Sequence, residues 1–276
     1  MIIHFILMNV FITASNKSYK DVRDYCVYTA KHYGKFDKVV AYDIDTMIDD
    51  NYRKHHSQIL EIRRGAGLWL WKVYFIRKAL YEECDEGDIL FYADAASFFF
   101  RSATTLLGKF EGNVFASKLP FVEEEYTKRE VFEIMGLTSE CYTKTNQFHA
   151  SILAFKKNNF SEMFVNEWLS FCEDIRVISP YFCGIQIPSF VEHRNDQSVF
   201  SLLCKKYKIE PSEDPSERGI TGYRRYKGST YIPIEKTTKY PFCIMLHKRS
   251  NLKGLSKLRC WLKLFKIICV NKLNQL

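Results

Sequence analysis

Gly87-Asp88-Ile89-Leu90-Phe91-Tyr92-Ala93-Asp94-Ala95-Ala96-Ser97 is the stretch on which the fold turns. A turn signal, Asp85-Glu86-Gly87-Asp88, releases the uncharged run Ile89 to Ala93, and a single carboxylate closes it. A short apolar run bounded in this way reads as a strand buried on both faces, the kind found in parallel sheets covered by helices. Ligands of open α/β sheets gather beyond the carboxyl ends of such strands, where Asp94 stands, and small alanines leave room on either side of it.

Working outward, the segment before this strand, Leu68 to Cys84, has Trp69, Val73, Ile76 and Leu80 at helical spacing, so a core-facing helix is predicted. A Gly-rich turn, Arg63-Arg64-Gly65-Ala66-Gly67, introduces it. Farther upstream, Ile2 to Ala14 reads as a strand, Tyr19 to Tyr33 as a helix and Lys38 to Tyr42 as a second strand, which together make a β-α-β unit. The opening run has no basic segment, is interrupted by His4 and Asn9 and offers no small-residue cleavage site, so it is read as a buried strand and not as a signal peptide.

Downstream, Asn113 to Ser117 is a short strand candidate, Glu123 to Met135 a charged helix with a solvated Glu123-Glu124-Glu125 start, and Gln147 to Phe155 a strand. Ser161 to Asp174 and a segment ending near Tyr207 read as helices, and residues 208–230 as an irregular loop rich in Pro and Gly. With no repeat and no low-complexity linker, the expectation is one α/β domain over residues 1–250 and a basic tail over 251–276.

The charge is unevenly spread. Of the 40 Lys and Arg, ten lie between Lys236 and Leu276, where there is no Asp or Glu; the rest of the chain carries 30 basic against 32 acidic residues. In the tail the basic residues alternate with large aliphatic ones, which argues against a nucleic-acid partner. Leu255, Leu258, Trp261, Leu262, Phe265 and Ile268 are expected near one helical face, with Lys257, Arg259, Lys263 and Lys266 elsewhere, a pattern suited to an anionic inner membrane surface or to docking on protein. Nine scattered cysteines without a C-x-x-C pair point away from a zinc site or disulfide framework and toward a reducing cytoplasm. The 17 Tyr and 22 Phe suit sugar stacking, and core packing accounts for them equally well.

Asp94 has two readings on sequence alone: it caps the following loop, or it serves a ligand at the strand end. A nucleotide-diphosphate ligand needs a cation or basic side chains to neutralise its phosphates, and Mg²⁺ or Mn²⁺ accepts carboxylate oxygens at such a place. Lys72 and Arg64 flank the Gly turn, where a helix start and cations face a diphosphate, or else form a solvated helix surface. Asn195 or Asp196 suits the N-cap of the helix that follows.

Three segments in order carry a resemblance: Arg63 to Leu80 with Gly87 to Ser97, Asn146 to Lys157 (NQFHASILAFKK), and Glu192 to Leu203 (EHRNDQSVFSLL). They resemble a bacterial group of sugar-nucleotide transferases associated with capsule and other surface polysaccharides. Its members read R-G-x-G-Y-W-x-W-K-P, then G-D-I-x-x-Y-x-D-A-G, then H-R-x-D-Q-S. The resemblance runs from about Phe11 to His247.

The resemblance implies a GT-A-type fold, a mixed and mainly parallel sheet flanked by helices. It also implies transfer of a sugar from a nucleotide-diphosphate donor, UDP-linked by expectation, to a surface or lipid-linked glycan. Asp94 falls where the family's aspartate-x-aspartate-like motif begins, but the second aspartate falls on Ala96; His247, in Phe242 to Ser250, would be the other ligand of a Mn²⁺ or Mg²⁺ ion. Thr13 lies in the nucleotide-edge segment Ile12 to Tyr19. Arg64, Lys72, His149, His193 and Arg194 are expected on the donor, Asp196 and Gln197 on the transferred sugar, and Lys128 on the acceptor. Val73 stands where the family has Pro. Because Ala96 weakens the metal site, a non-catalytic nucleotide- or glycan-binding scaffold is the competing reading.

Overall fold

The computed structural model describes residues 7–181, 184–234 and 242–273. In chain order its main elements are β1 (Asn9–Ser15), α1 (Lys20–Thr29), β2 (Lys38–Asp43), α2 (Leu70–Glu82), β3 (Ile89–Ala93), β4 (Ser97–Phe99), β5 (Val114–Phe115), β6 (Lys118–Val122), α3 (Arg129–Met135), β7 (Asn146–Phe148), β8 (Ile152–Lys156), α4 (Asn159–Cys172), α5 (Asp196–Lys206), β9 (Ile244–Leu246) and α6 (Gly254–Leu273). Of the first predicted strand, residues 2–6 lie outside the described residues, and the described strand begins at Asn9.

The central sheet has the order β2-β1-β3-β8-β5. β1 pairs parallel with β2 and β3, while β8 runs antiparallel to β3 and β5, so four of the five strands point the same way. This is the expected mixed, mainly parallel α/β architecture.

Alternate side chains of each strand serve two cores, as a pleat covered on both faces requires. Val10, Ile12, Leu90, Tyr92, Leu153 and Phe155 join one core with Val73, Ile76 and Leu80 of α2, Trp168 of α4 and Phe200 of α5. Phe11, Phe91, Ala93, Ile152 and Ala154 face the other, with Cys26 of α1 and Phe99 of β4. The predicted core-facing stripe is therefore correct at Val73, Ile76 and Leu80, each 0% exposed; Trp69 packs, partly buried, against the same core but sits before the helix, in the left-handed region (φ 63°).

Three predicted elements break, and each break has a chemical cause. The charged helix from Glu123 divides into Glu123–Tyr126 and α3, with Thr127 and Lys128 extended between them. Its acidic start is not solvated. Glu123 and Glu125 are buried: Glu123 takes hydrogen bonds from Thr127 Oγ1, Gln147 Nε2 and Lys205 Nζ and pairs closely with Ser201, while Glu125 takes the Thr230 N–H.

The single strand expected over Gln147 to Phe155 divides into β7, which pairs with β6, and β8 in the central sheet. The interruption at His149–Ser151 turns backbone groups toward the end of β3: Asp94 N donates to Ser151 O at 3.0 Å. Within the predicted loop 208–230 there is a helical turn, Glu217–Thr221, capped by Ser216 accepting from Arg218 N.

The tail forms α6, but its apolar residues do not share one face. Cys260 and Leu264 are buried in a third cluster with Val22, Phe98, Phe242 and Met245, and Trp261 and Ile268 pack against it. Trp261 Nε1 donates to Tyr25 OH at 3.1 Å. Leu255, Leu258, Leu262 and Phe265 point outward, each more than half exposed. No helix among the described residues is long and apolar enough to cross a membrane.

Candidate functional site

A cleft of about 1000 Å³ opens at the carboxyl ends of β1 and β3, a size suited to a nucleotide-sized ligand. Its floor is Asp94, one residue past β3. Tyr92 OH donates to Asp94 Oδ1 at 2.7 Å, and Ser97 Oγ caps the turn through the Asp94 carbonyl, so the carboxylate is not the loop cap. Its second oxygen has no hydrogen-bond partner within the described residues, and the side chain is about one-third exposed.

Beside it lies an ion pair withdrawn from water. Lys72, in the first turn of α2, places Nζ 2.9 Å from Asp196 Oδ2, 3.7 Å from Asp94 Oδ1 and 3.3 Å from the carbonyl of Ala150. Burial opposes the Lys72 charge, and the two carboxylates outweigh it, holding the ammonium above its ordinary range. Burial pushes Asp196 up to about 6 despite Lys72. We take the pair as ionised at neutral pH, because the 2.9 Å geometry favours charge on both partners.

The Gly turn positions Lys72 through strained backbone. Gly65, Ala66, Gly67, Leu68 and Trp69 all have positive φ. A Cβ on Gly67 would meet Leu60 Cα at 2.8 Å, and one on Gly65 would meet the Trp69 ring at 2.3 Å. Trp71 Nε1 closes the turn by donating to Gly65 O at 2.8 Å. Asn195, before α5, has φ 51° and ψ −122° and makes no side-chain cap; its amide donates to Ile178 O at 2.8 Å. The capping role expected there is thus replaced by a strained turn that delivers Asp196 and Gln197 to the cleft.

Gln197 is held at both ends. Its Oε1 accepts from Ala150 N at 3.3 Å and its Nε2 donates to Gln147 Oε1 at 2.8 Å. Gln147 is in turn fixed by the buried Glu123. Arg194 lies over the rings of Tyr126 (4.0 Å) and Phe121 (4.8 Å) and reaches Glu192 at 3.3 Å; Arg64 is 3.5 Å from the same glutamate.

The cleft brings together Asp94, Lys72, Asp196, Gln197, His149, Arg64, Arg194 and His247. Three expected residues are not among its lining. Thr13 is fully buried in β1, and its neighbours Ala14, Ser15 and Asn16 line the cleft instead. Thr13 lies inside the strand, two residues before its carboxyl end at Ser15, whereas the cleft opens at that end. Lys128 is 0% exposed and donates to the Ser179 carbonyl, so it does not reach the cleft wall where it is expected to meet a ligand. His193 is also buried, held by burial and by Lys128 at about 3.

Sequence reasoning overlooked Arg218, Tyr223 and Lys248 on the cleft wall and Gln147 and Glu123 behind it. Lys248 adjoins His247 and was in reach of the sequence, whereas nothing in an irregular loop marks Arg218. Burial first, then Arg218, Lys72, Lys248 and Arg194, push His149 far below its ordinary range, and the lining carries more Lys and Arg than Asp and Glu, so the cleft is cationic.

A divalent cation does not fit this donor set. The described residues contain no group of three or more His, Cys, Asp or Glu that could hold a metal. Asp94 already has the Lys72 ammonium beside it. His247 Nδ1 accepts the Arg249 N–H at 3.1 Å, so in the neutral ring the proton is on Nε2, the nitrogen a metal would need bare.

No family model and no curated protein sequence matches the chain. Among solved structures it is similar to galactosyltransferase LgtC in complex with donor and acceptor sugar analogs, at 12% identity, 87% coverage of each chain and a TM-score of 0.46. It is also similar to mouse xyloside xylosyltransferase 1, at 8% identity and a TM-score of 0.47, covering 89% of this chain and 99% of that one. A third is the glycosyltransferase GlyE of Streptococcus pneumoniae, at 13% identity and a TM-score of 0.43, with 78% and 49% covered.

Proposed function

We propose that the chain is a GT-A-type glycosyltransferase that moves a hexose or N-acetylhexosamine from a nucleotide-diphosphate donor, UDP-linked, to a surface-polysaccharide glycan on a lipid carrier. The observation that carries this reading is the convergence of Asp94, the Lys72–Asp196 pair and Gln197 beneath a cationic cleft at the strand ends.

In the reaction, the acceptor hydroxyl oxygen bonds to the anomeric carbon. The bond from that carbon to the diphosphate oxygen breaks with its electron pair, and the hydroxyl proton is released. The protein's part is to hold the reacting groups in place and to neutralise the departing diphosphate. Asp94, with an unpartnered carboxylate oxygen, is assigned to a donor hydroxyl. Asp196 and Gln197 are assigned to the transferred sugar, with Gln197 held nearest the anomeric carbon by Gln147 and Ala150. Ser15 and Asn16, which line the cleft after β1, are assigned to the nucleoside.

The outward Leu255, Leu258, Leu262 and Phe265, set among basic residues on α6, support attachment to the anionic inner face of a membrane from the cytoplasm. A lipid-linked acceptor would be met there.

Asp94→Asn tests the reading. With UDP-sugars and a lipid-linked acceptor, it should abolish transfer while circular dichroism and melting stay unchanged; full activity would sink the proposal. Donor hydrolysis by the unmodified chain separates an enzyme from a binding scaffold, which would bind the nucleotide sugar and leave it intact.

A further inference from the structure

We propose that the donor's diphosphate is held by the chain's own cations and N–H groups without a bridging divalent cation, with Arg218, Lys248 and the Nε2–H of His247 on the phosphate oxygens. The inference rests on the glycosyltransferase reading and specifies how its donor is recognised.

Three observations lead to it. The first is the tautomer of His247. Because Nδ1 accepts the Arg249 N–H, Nε2 carries the hydrogen, and this buried nitrogen has no partner among the described residues. A buried donor left unpaired is costly, and an anionic oxygen in the cleft would satisfy it, whereas a cation would meet a proton. A second unpartnered ring nitrogen, Nδ1 of His149, belongs to a side chain 4% exposed that lines the same cleft.

The second observation is the charge already in place. Lys72 Nζ sits 3.7 Å from Asp94 Oδ1, so a fixed positive group already faces the carboxylate that would anchor a metal. Of the other acidic wall residues, Asp196 is paired with Lys72 and Glu192 with Arg64 and Arg194, while Glu217 is 2% exposed, takes the Leu246 N–H at 2.9 Å and lies 4.0 Å from Lys263 Nζ. Ala96 contributes no oxygen beyond its carbonyl, which accepts the His247 N–H at 3.0 Å.

Third, Arg218 and Lys248 have no carboxylate within 4.0 Å among the described residues, although both line the cleft. Lys248 is held at φ 55°, in the left-handed region, directly after His247. Strained backbone that sets an unpaired cation beside an unpaired N–H donor makes a place for an anion. These cations supply the neutralisation that a metal provides elsewhere.

Isothermal titration of the full chain with UDP, and with uridine as the phosphate-free control, tests this. UDP should bind with the same Kd, within twofold, in EDTA and in Mn²⁺. Arg218→Ala and Lys248→Ala should each weaken UDP about tenfold, and His247→Phe several-fold, with uridine unaffected and the melting temperature of each variant preserved. If UDP binds only when Mn²⁺ is present, and the Arg218 and Lys248 variants bind normally, the metal-free proposal falls while the glycosyltransferase reading stands. If UDP and UDP-sugars do not bind under either condition, both fall.

Discussion

Lys72 Nζ and Asp196 Oδ2 are 2.9 Å apart, and both side chains are withdrawn from water, 4% and 3% exposed. A buried pair holds the fold chiefly through what its removal leaves behind. Lys72→Met should strand two carboxylates and cost about 3–5 kcal/mol in urea unfolding, and the double variant Lys72→Met/Asp196→Leu should regain much of that loss. A single variant as stable as the unmodified chain would show that the pair is not ionised.

Acid should destabilise the protein through its buried histidines. His193 has its folded value at about 3, against an ordinary 6.5, because of burial and the Lys128 ammonium. A base depressed in this way contributes stability that is complete above pH 6.5 and lost as the pH falls toward 3, on the order of 5 kcal/mol in all. Asp196 works in the opposite sense, its contribution being lost as the pH rises from 3.8 to about 6. His193→Leu should therefore flatten the dependence of the urea midpoint on pH between 6.5 and 4; an unchanged slope would contradict the assignment.

Gln147 should act on the reaction without touching the ligand, since it is absent from the cleft wall and bonds Gln197 at 2.8 Å. Gln147→Leu frees the Gln197 amide to turn. Misplacement of a reacting group costs up to about 100-fold in rate, so kcat should fall while KM for the donor stays within about twofold. A change confined to KM would place Gln197 in donor binding alone.

Gly67→Ala should be costly because two penalties coincide, a φ of 100° and a Cβ 2.8 Å from Leu60 Cα. The expected loss is about 2–4 kcal/mol. Gly136→Ala, with φ 69° and open space around it, should lose only about 1–2 kcal/mol in the same thermal melts. Equal losses would mean that the turn shifts to make room.

The two sides of α6 should separate stability from attachment. Leu264, 1% exposed, packs on the domain, so Leu264→Ala should cost about 2–4 kcal/mol. Replacing Leu258, Leu262 and Phe265 by Ser should change stability by less than about 0.5 kcal/mol per site and abolish sedimentation with vesicles containing anionic lipid. Vesicle binding that survives this change would remove the membrane reading.

By itself the sequence determined the β-α-β order, the buried strand ending on Asp94 and the core stripe of α2, because strands covered on both faces and a one-faced helix leave period and apolarity in the chain. It also marked Lys72, Asp196 and Gln197 as candidates. Only the tertiary structure decided which of these meet. The break of the β7–β8 run at Ala150, the inward turn of Glu123 and the burial of Thr13 all depend on partners distant in the chain. Local periodicity carries no record of such partners: a carboxylate that will be buried among Gln147, Ser201 and Lys205 reads, on its own segment, like one that will face water.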